Sequence, residues 1–170
     1  MRLATASPLV EGLARGQPES YAALYDRLGR SLLRVARVML QASGEAEDAV
    51  QDVFVDLVRH RHRLAQVRDL DAYVFAMLRY AVGRRLQRQR LEQHHLHRLT
   101  PVGADTRDPC LPDELEEALK SLPPEQREVI TLKVDGGLTF AQIAEILKVN
   151  ANTAASRYRY ALEKLRRVLE

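Results

Sequence analysis

Apolar residues recur at spacings of three and four along most of the chain, as they do on one face of a helix. The first stripe follows a proline at position 18, a residue well suited to a first helical turn. Its members are Tyr21, Leu24, Leu28, Leu32, Val35 and Met39. This pattern predicts a helix over about Pro18 to Leu40.

Two further stripes predict a second and a third helix. Ser43 can cap the second, because Glu45 and Glu47 then lie in its first turn, where the helix dipole favours acids. Its apolar positions are Ala46, Ala49, Val50, Val53, Phe54 and Leu57. Asp69 or Asp71 can cap the third helix. The inner positions of that helix are Val74, Met77, Leu78, Ala81 and Leu86.

A change of composition after the third helix indicates a linker. Residues 99–112 include three prolines and a glycine and show no periodicity. We therefore expect an N-terminal tail over residues 1–17, a helical domain over 18–98, a flexible linker over 99–112 and a second helical domain over 113–170. No run alternates with the period of a strand, so the predicted fold class is all-α, with two small helical domains.

The second domain begins with a pattern of two short helices. The stretch ELEEALKSLPPEQREVITLKV has helical spacing on both sides of the Pro123 and Pro124 pair, which interrupts it. Asp135, Gly136 and Gly137 then form a turn signal. The segment after that turn has the most specific pattern in the chain.

This segment is typical of a helix-turn-helix. Thr139 and Gln142 form a capping box for one short helix, and Asn150 can cap a longer basic helix after a break at Lys148. In that motif the second helix enters the major groove of DNA. The side chains that would face DNA are those of Asn152, Thr153, Ser156, Arg157 and Arg159. Serine and arginine side chains bind phosphates as readily as bases, so no base is assigned to these residues. An ordinary helical hairpin is the alternative.

Charge is strongly separated along the chain, although the net charge is only +3. Residues 41–58 contain five acids and no base, whereas residues 79–98 contain six arginines and one acid. Runs of one sign are often solvated helix faces. Segregation on this scale also suits a protein with two unlike partners, one basic and one polyanionic.

Composition excludes several classes of protein. With 170 residues and 46% hydrophobic residues, the chain is expected to fold. No run approaches the length of a membrane span, and the N-terminus is a poor signal peptide, so a cytoplasmic protein is expected. There is no phosphate-binding glycine loop, no HExxH and no nucleophile with a base nearby, so neither catalysis nor a cofactor is expected.

A metal site is not expected either. His94, His95 and His97 could be imagined as ligands together with Cys110, the single cysteine. Adjacent histidines on a helix point in different directions, and Cys110 lies in the linker. The histidine cluster is better interpreted as the exposed end of a helix.

Two stretches resemble a known family. LPPEQREVITLKVDGGLTFAQIAEILKVNANTAASRYRYALEKLRR is similar to region four of the sigma-70 family of bacterial transcription initiation factors, and AEDAVQDVFVDLVRH is similar to part of region two. With a short linker and no intervening domain, the chain resembles the compact extracytoplasmic-function (ECF) type over about Pro18 to Arg167. The family usually has glycine where Lys148 stands, so this lysine would be strained if its backbone were left-handed.

The resemblance implies two macromolecular partners. The residues that would dock on the basic coiled coil of the RNA polymerase β′ clamp are Asp48, Gln51, Asp52 and Phe54. An acid row with one aromatic anchor suits such a basic partner, although Phe54 could equally belong to the core. The second domain would contact the β flap and the minus-thirty-five promoter element. An anti-sigma factor is a possible further partner, and a monomer is expected when the protein is free.

The arginine-rich part of domain one would bind the second partner, promoter DNA. Arginines that track phosphates, interleaved with aromatic rings that accept unstacked bases, suit single-stranded DNA. By the resemblance, this part would melt the minus-ten element and capture a flipped base. Its contact residues would be Arg61, Arg63, Tyr73, Arg79, Tyr80, Arg84, Arg85 and Arg88. Tyr73 and nearby Phe75 could instead be core residues.

Two other functions compete with that of a promoter-reading sigma factor. A helix-turn-helix regulator that binds duplex DNA alone would need neither the acid row nor the arginine and aromatic mixture. An interaction protein derived from the family would lack promoter recognition.

Overall fold

A computed structural model of the chain describes residues 7–40, 43–95 and 112–170, without the side chains of residues 43, 93–95 and 113. These residues form helices and connecting turns, and no strand occurs among them, which confirms the all-α prediction. The elements are α1 (Pro8–Ala14), α2 (Pro18–Leu40), α3 (Ser43–Arg59), a 3-10 segment (Arg61–Gln66), α4 (Leu70–His95), α5 (Asp113–Lys120), α6 (Pro124–Val134), α7 (Phe140–Leu147) and α8 (Ala151–Leu169).

Domain one is built around α2, α3 and α4, which pack against one another in pairs. Their apolar stripes supply fully or nearly fully buried side chains, among them Leu24 and Leu32 of α2, Val53 of α3 and Leu78 of α4. Asp69 is the cap of α4, because its Oδ1 accepts a hydrogen bond from Ala72 N at 3.0 Å. The three predicted helices therefore exist at the predicted places.

The N-terminal segment differs from the tail that the sequence predicted. Pro8–Ala14 form α1, which packs against the 3-10 segment and α2, and Leu13 has no exposed surface. The stripe of α1 is only two turns long, too short for helical periodicity to stand out in the sequence. Domain one therefore begins before Pro18.

Domain two is a bundle of α5, α6, α7 and α8, in which α8 packs against each of the other three helices. The Pro123 and Pro124 pair separates α5 from α6, as predicted, with Pro124 as the first residue of α6. The predicted linker lies outside the described residues, apart from Pro112, and so do His97 and Cys110.

The two domains pack directly against each other. Helix α7 lies against α4, and α6 lies against α2, so that Ile143 and Leu132 of domain two belong to the same buried core as Leu78 of domain one. An ion pair joins Arg79 Nε to Glu128 Oε1 at 2.7 Å across this interface. The described structure is thus a closed arrangement of the two domains.

Candidate functional site

A groove lies between α2 and α3. Tyr25 and Phe54 meet edge to face, with ring centroids 5.3 Å apart and planes at 64°. Tyr25 is 56% exposed, and Gln51 lines the groove beside it. An added Cβ at Gly29 would lie 3.3 Å from atoms of the Tyr25 ring, so the ring rests on the backbone of α2. Two of the four predicted polymerase contacts, Gln51 and Phe54, therefore share this groove, which we call the aromatic groove.

The predicted acidic contacts, Asp48 and Asp52, have different surroundings. Asp48 is exposed on α3. Asp52 turns towards α4, where its Oδ2 lies 2.8 Å from Arg85 Nη1 and 3.9 Å from Arg84 Nη2. Asp48 is therefore open to a partner, whereas Asp52 already contributes to the packing of α3 on α4.

Arg85 lies between α3 and α4 and not on the outer face of α4. Its side chain is 11% exposed, and besides Asp52 its Nε lies 3.8 Å from Glu45 Oε2. Neither Arg85 Nε nor Glu45 Oε2 has a hydrogen-bond partner among the described residues. The structure thus separates Arg85 from the other arginines that the sequence predicted as DNA contacts, since little of its guanidinium is accessible to a phosphate.

The outer face of α4 presents a tyrosine and two arginines. Tyr80 is 68% exposed, and the Arg84 guanidinium lies 5.1 Å from the centroid of its ring. Arg88, one turn further along, is 59% exposed and lies 3.7 Å from Glu45 and 3.9 Å from Glu92. An exposed aromatic ring beside cations is suited to unstacked bases and phosphates. We call these three residues the arginine-tyrosine face.

The remaining predicted minus-ten contacts lie in three places. Arg61 and Arg63 are exposed on the 3-10 segment. Tyr73 is partly buried against the core and, with Lys148 of domain two, lines a cleft between the domains. Arg79 is bonded to Glu128 of domain two. Phe75 has no exposed surface, so of the two interpretations the sequence left open for it, the core one is correct.

The helix-turn-helix of domain two has the predicted caps. Thr139 Oγ1 accepts from Gln142 N at 3.2 Å, and Gln142 Oε1 accepts from Thr139 N at 2.8 Å, which completes the capping box. Asn150 Oδ1 accepts from Thr153 N at 2.7 Å at the start of α8. Between the helices, Lys148 has a left-handed backbone with φ of 55°. The position where the family usually has glycine is therefore one that glycine suits best.

Helix α8 presents its predicted DNA-facing side chains along one stretch. Asn152 and Arg159 are exposed, and Thr153, Ser156 and Arg157 are partly exposed. The Arg159 guanidinium lies 5.4 Å from the centroid of the Tyr160 ring. The inner side of α8 is held by Ala154 and Ala161, which have no exposed surface. The residues predicted from the sequence thus lie on the accessible side of this helix.

Arg127 belongs to the motif LPPEQR, and no role was predicted for it. Its guanidinium donates hydrogen bonds to the carbonyl oxygens of Leu119, Lys120 and Leu122 at 2.9, 2.6 and 2.9 Å. These carbonyls end α5 and lead into the proline pair, so the side chain closes the end of that helix. Burial lowers the pKa of the Arg127 guanidinium. Arg127 is therefore a structural residue of domain two.

Tyr25 is an exposed aromatic residue of the groove that was not predicted from the sequence. Its only sequence signal is that it follows Tyr21 by four residues, so that it could be placed beside the apolar stripe of α2. Its partner, Phe54, was predicted from α3 alone. Pairing the two required knowing how α2 crosses α3.

Two kinds of site are absent from the described part of the chain. Within it, His, Cys, Asp and Glu side chains nowhere form a group of three or more that could hold a metal ion. None of its helices combines the length and the apolar character that crossing a membrane requires.

Both halves of the chain match models of known protein families. Residues 24–92 match the family model "Sigma-70 region 2", and residues 113–165 match "Sigma-70, region 4". The ECF RNA polymerase sigma factor SigK of Mycolicibacterium vanbaalenii is 30% identical over 173 residues, which cover 95% of this chain and 87% of the relative. The chain belongs to the ECF group of the sigma-70 family. SigK of Mycobacterium ulcerans is 28% identical over 178 residues, covering 95% of this ECF chain and 92% of the relative.

Two solved structures share the fold of this ECF chain. CnrH in complex with the cytosolic domain of CnrY matches with a TM-score of 0.68 and 24% identity, over 95% of this chain and 94% of CnrH. RpoE of Bartonella quintana, in complex with the anti-sigma factor NepR, matches with a TM-score of 0.69 and 23% identity, over 86% of this chain and 96% of RpoE. Both likenesses extend across the two domains.

Proposed function

We propose that this ECF family member is a promoter-reading sigma factor that binds core RNA polymerase, melts the minus-ten element and contacts the minus-thirty-five element. One observation supports this most strongly. The aromatic groove and the arginine-tyrosine face lie on adjoining parts of domain one, the first involving α3 and the second on α4. A regulator that only binds duplex DNA needs neither surface. The bond-forming chemistry would belong to the polymerase, and the protein would act in the cytoplasm.

Core polymerase would dock on the aromatic groove and the exposed acid beside it. Exposed aromatic side chains in a preformed groove are typical anchors of protein interfaces. Asp48 would supply long-range attraction to the basic coiled coil of the β′ clamp. Asp52 would contribute the part of its carboxylate that is not engaged by Arg85, since its side chain is 43% exposed.

Single-stranded promoter DNA would bind along the arginine-tyrosine face and the 3-10 segment. Tyr80 offers a ring for stacking, while Arg84, Arg88, Arg61 and Arg63 offer charges for phosphates. Tyr73 and Arg79 would join this surface only after domain two moves away, because both face α6 or α7 in the closed arrangement. Helix α8 would then read the minus-thirty-five element in the major groove.

An anti-sigma factor is a further proposed partner, on the likeness to RpoE, which was solved with the anti-sigma factor NepR. The closed arrangement offers such a partner both domains at once. We propose a monomer for the free protein, since each surface named here serves a different partner.

Binding of purified core polymerase to labelled full-length protein tests the docking surface. Phe54→Ala should weaken binding at least about tenfold, the range of an interface anchor, and Asp48→Lys should weaken it most at low salt. Glu163→Lys, an equal charge reversal at an exposed position of α8, is the matched control. Equal affinities for the wild type and all three variants would overturn the docking surface.

A further inference from the structure

Helix α1 lies beyond the matched region two, which begins at residue 24, yet it packs against a predicted DNA contact surface. Leu13 of α1 has no exposed surface, and Leu64 of the 3-10 segment is 1% exposed in the same core. Tyr21 Oη donates a hydrogen bond to Leu13 O at 2.9 Å, which fastens the last turn of α1 to α2. The 3-10 segment therefore rests on a fixed support.

The turn that follows α1 touches Arg61 directly. Gly16 has φ of 75°, and a Cβ added there would lie 3.3 Å from Arg61 Cδ and 3.4 Å from Arg61 Nε. The Arg61 side chain thus lies across the bare backbone of this turn. Glycine is favoured here for two reasons, the left-handed backbone and the close approach of a side chain.

One hydrogen bond holds the same guanidinium, and a nearby hydroxyl senses its charge. Arg61 Nη1 donates a hydrogen bond to Val58 O at 3.2 Å, at the end of α3. Its charge also acts on the Tyr21 hydroxyl: burial raises the pKa of Tyr21, and Arg61 opposes that rise. Arg61 is nevertheless exposed, so a phosphate can still reach it.

We infer that Gly16 is a positioning residue, which with α1 holds Arg61 in place to bind a phosphate of single-stranded DNA. This inference rests on the proposed function. A long arginine side chain loses rotamer entropy when it binds, and holding it beforehand reduces that loss. The Gly16 turn and the Val58 carbonyl together supply this restraint.

The test measures binding of a fluorescent single-stranded oligonucleotide to the full chain as a function of salt, alone and with core polymerase. Losing one phosphate contact makes the plot of log affinity against log salt less steep by about 0.7. The affinity at 0.1 M salt then falls about fivefold. Gly16→Ala and Arg61→Ala should each show this reduction, and the double variant should show no more than Arg61→Ala alone. Affinity for core polymerase should not change.

Two further variants separate this role from a loss of stability. Gly16→Asn relieves part of the backbone strain, because asparagine tolerates left-handed geometry, but it keeps the added Cβ beside Arg61 and should also lose the contact. Gly137→Ala is the matched control, since Gly137 also has a left-handed backbone, with φ of 65°, but nothing lies within 4 Å of a Cβ added there.

Three results would overturn the inference: an unchanged slope in Gly16→Ala, an equal loss in Gly137→Ala, or a further loss in the double variant. Failure of the proposed function is distinguishable, because it would appear as wild-type protein that does not bind core polymerase. The oligonucleotide measurements on the free chain would still decide the role of Gly16.

Discussion

Gln142 Nε2 donates a hydrogen bond to Asp69 Oδ2 at 2.8 Å, which joins the first turn of α7 to the cap of α4. Both residues have a second task, because Gln142 Oε1 completes the capping box of α7 and Asp69 Oδ1 caps α4. Two helix starts are thereby fixed to each other across the domain interface. Any separation of the domains must break this bond, but it need not disturb either cap, because the caps use a different atom of each side chain.

Gln142→Glu is predicted to loosen the closed arrangement without unfolding either domain. Glutamate at this position still accepts from Thr139 N, so the capping box survives. Its carboxylate, however, meets that of Asp69 and replaces a hydrogen bond with repulsion, which costs about 1–3 kcal/mol. Labels on α4 and α7 should report a larger interdomain distance in resonance energy transfer. Gln142→Met removes the interdomain bond without adding charge, together with the Gln142 half of the capping box, and should show a smaller increase.

The helical circular-dichroism signal of Gln142→Glu should match that of the wild type. An unchanged interdomain distance in this variant would show that the apolar contact of α7 with α4 alone keeps the domains together.

Arg127→Lys is predicted to destabilise domain two nearly as much as Arg127→Ala, by about 2–4 kcal/mol. The carbonyl oxygens of Leu119, Lys120 and Leu122 need a planar group with several donors, and a single ammonium cannot reproduce this geometry. Urea unfolding followed by circular dichroism measures the loss. Arg166→Lys, at an exposed position of α8, is the control and should change the stability little. Full recovery by lysine would mean that only the charge at position 127 matters.

Lys148→Gly is predicted to stabilise the protein by about 0.5–1 kcal/mol. The φ of 55° at Lys148 is costly for a residue with a Cβ, and glycine removes this strain. The free energy gained exceeds the cost that arises because glycine has more conformational entropy in the unfolded chain. Gly137→Ala is the reciprocal change, because Gly137 has φ of 65° and no atom within 4 Å of an added Cβ. That variant should lose about 1 kcal/mol. Denaturation midpoints that move in the same direction for both variants would contradict the argument.

Asp52→Asn is predicted to destabilise domain one by about 1–2 kcal/mol, whereas Asp48→Asn should have little effect. The first change removes the charge of the carboxylate 2.8 Å from Arg85 Nη1, so that Arg85, whose side chain is 11% exposed, keeps the charge of the more distant Glu45 alone. The second removes a charge from an exposed site on the same helix. Thermal unfolding of the two variants side by side measures the difference. Equal midpoints would show that the Asp52 and Arg85 pair adds nothing to stability.

Much of the fold could be predicted from the sequence because periodicity and caps are local signals. Pro18 and Leu40 bound the first long helix as predicted, and the Thr139 and Asn150 caps form the predicted bonds. These features depend on residues within four positions of each other. Helix α1 was not predicted, because a seven-residue helix has too few apolar positions to establish a period.

The candidate surfaces were predictable only in part, since side-chain pairing depends on how helices cross. The sequence grouped Arg85 with the DNA contacts, and the structure places it against Asp52 of α3. It grouped Asp52 with Phe54, yet the first turns towards α4 and the second towards Tyr25 of α2. Charge counts along a chain do not distinguish an arginine that pairs within the protein from one that is free for a partner.

Run-off transcription with purified core polymerase and this protein, on a library of genomic fragments from its host, distinguishes a promoter-reading sigma factor from the alternatives. The proposed function predicts discrete transcripts that start downstream of one shared pair of sequence elements and that require the added protein. Arg84→Ala combined with Arg88→Ala should reduce these transcripts, and the reactivity of unpaired thymines to permanganate, more than polymerase binding. Binding to core polymerase without any specific transcript would contradict a promoter-reading role.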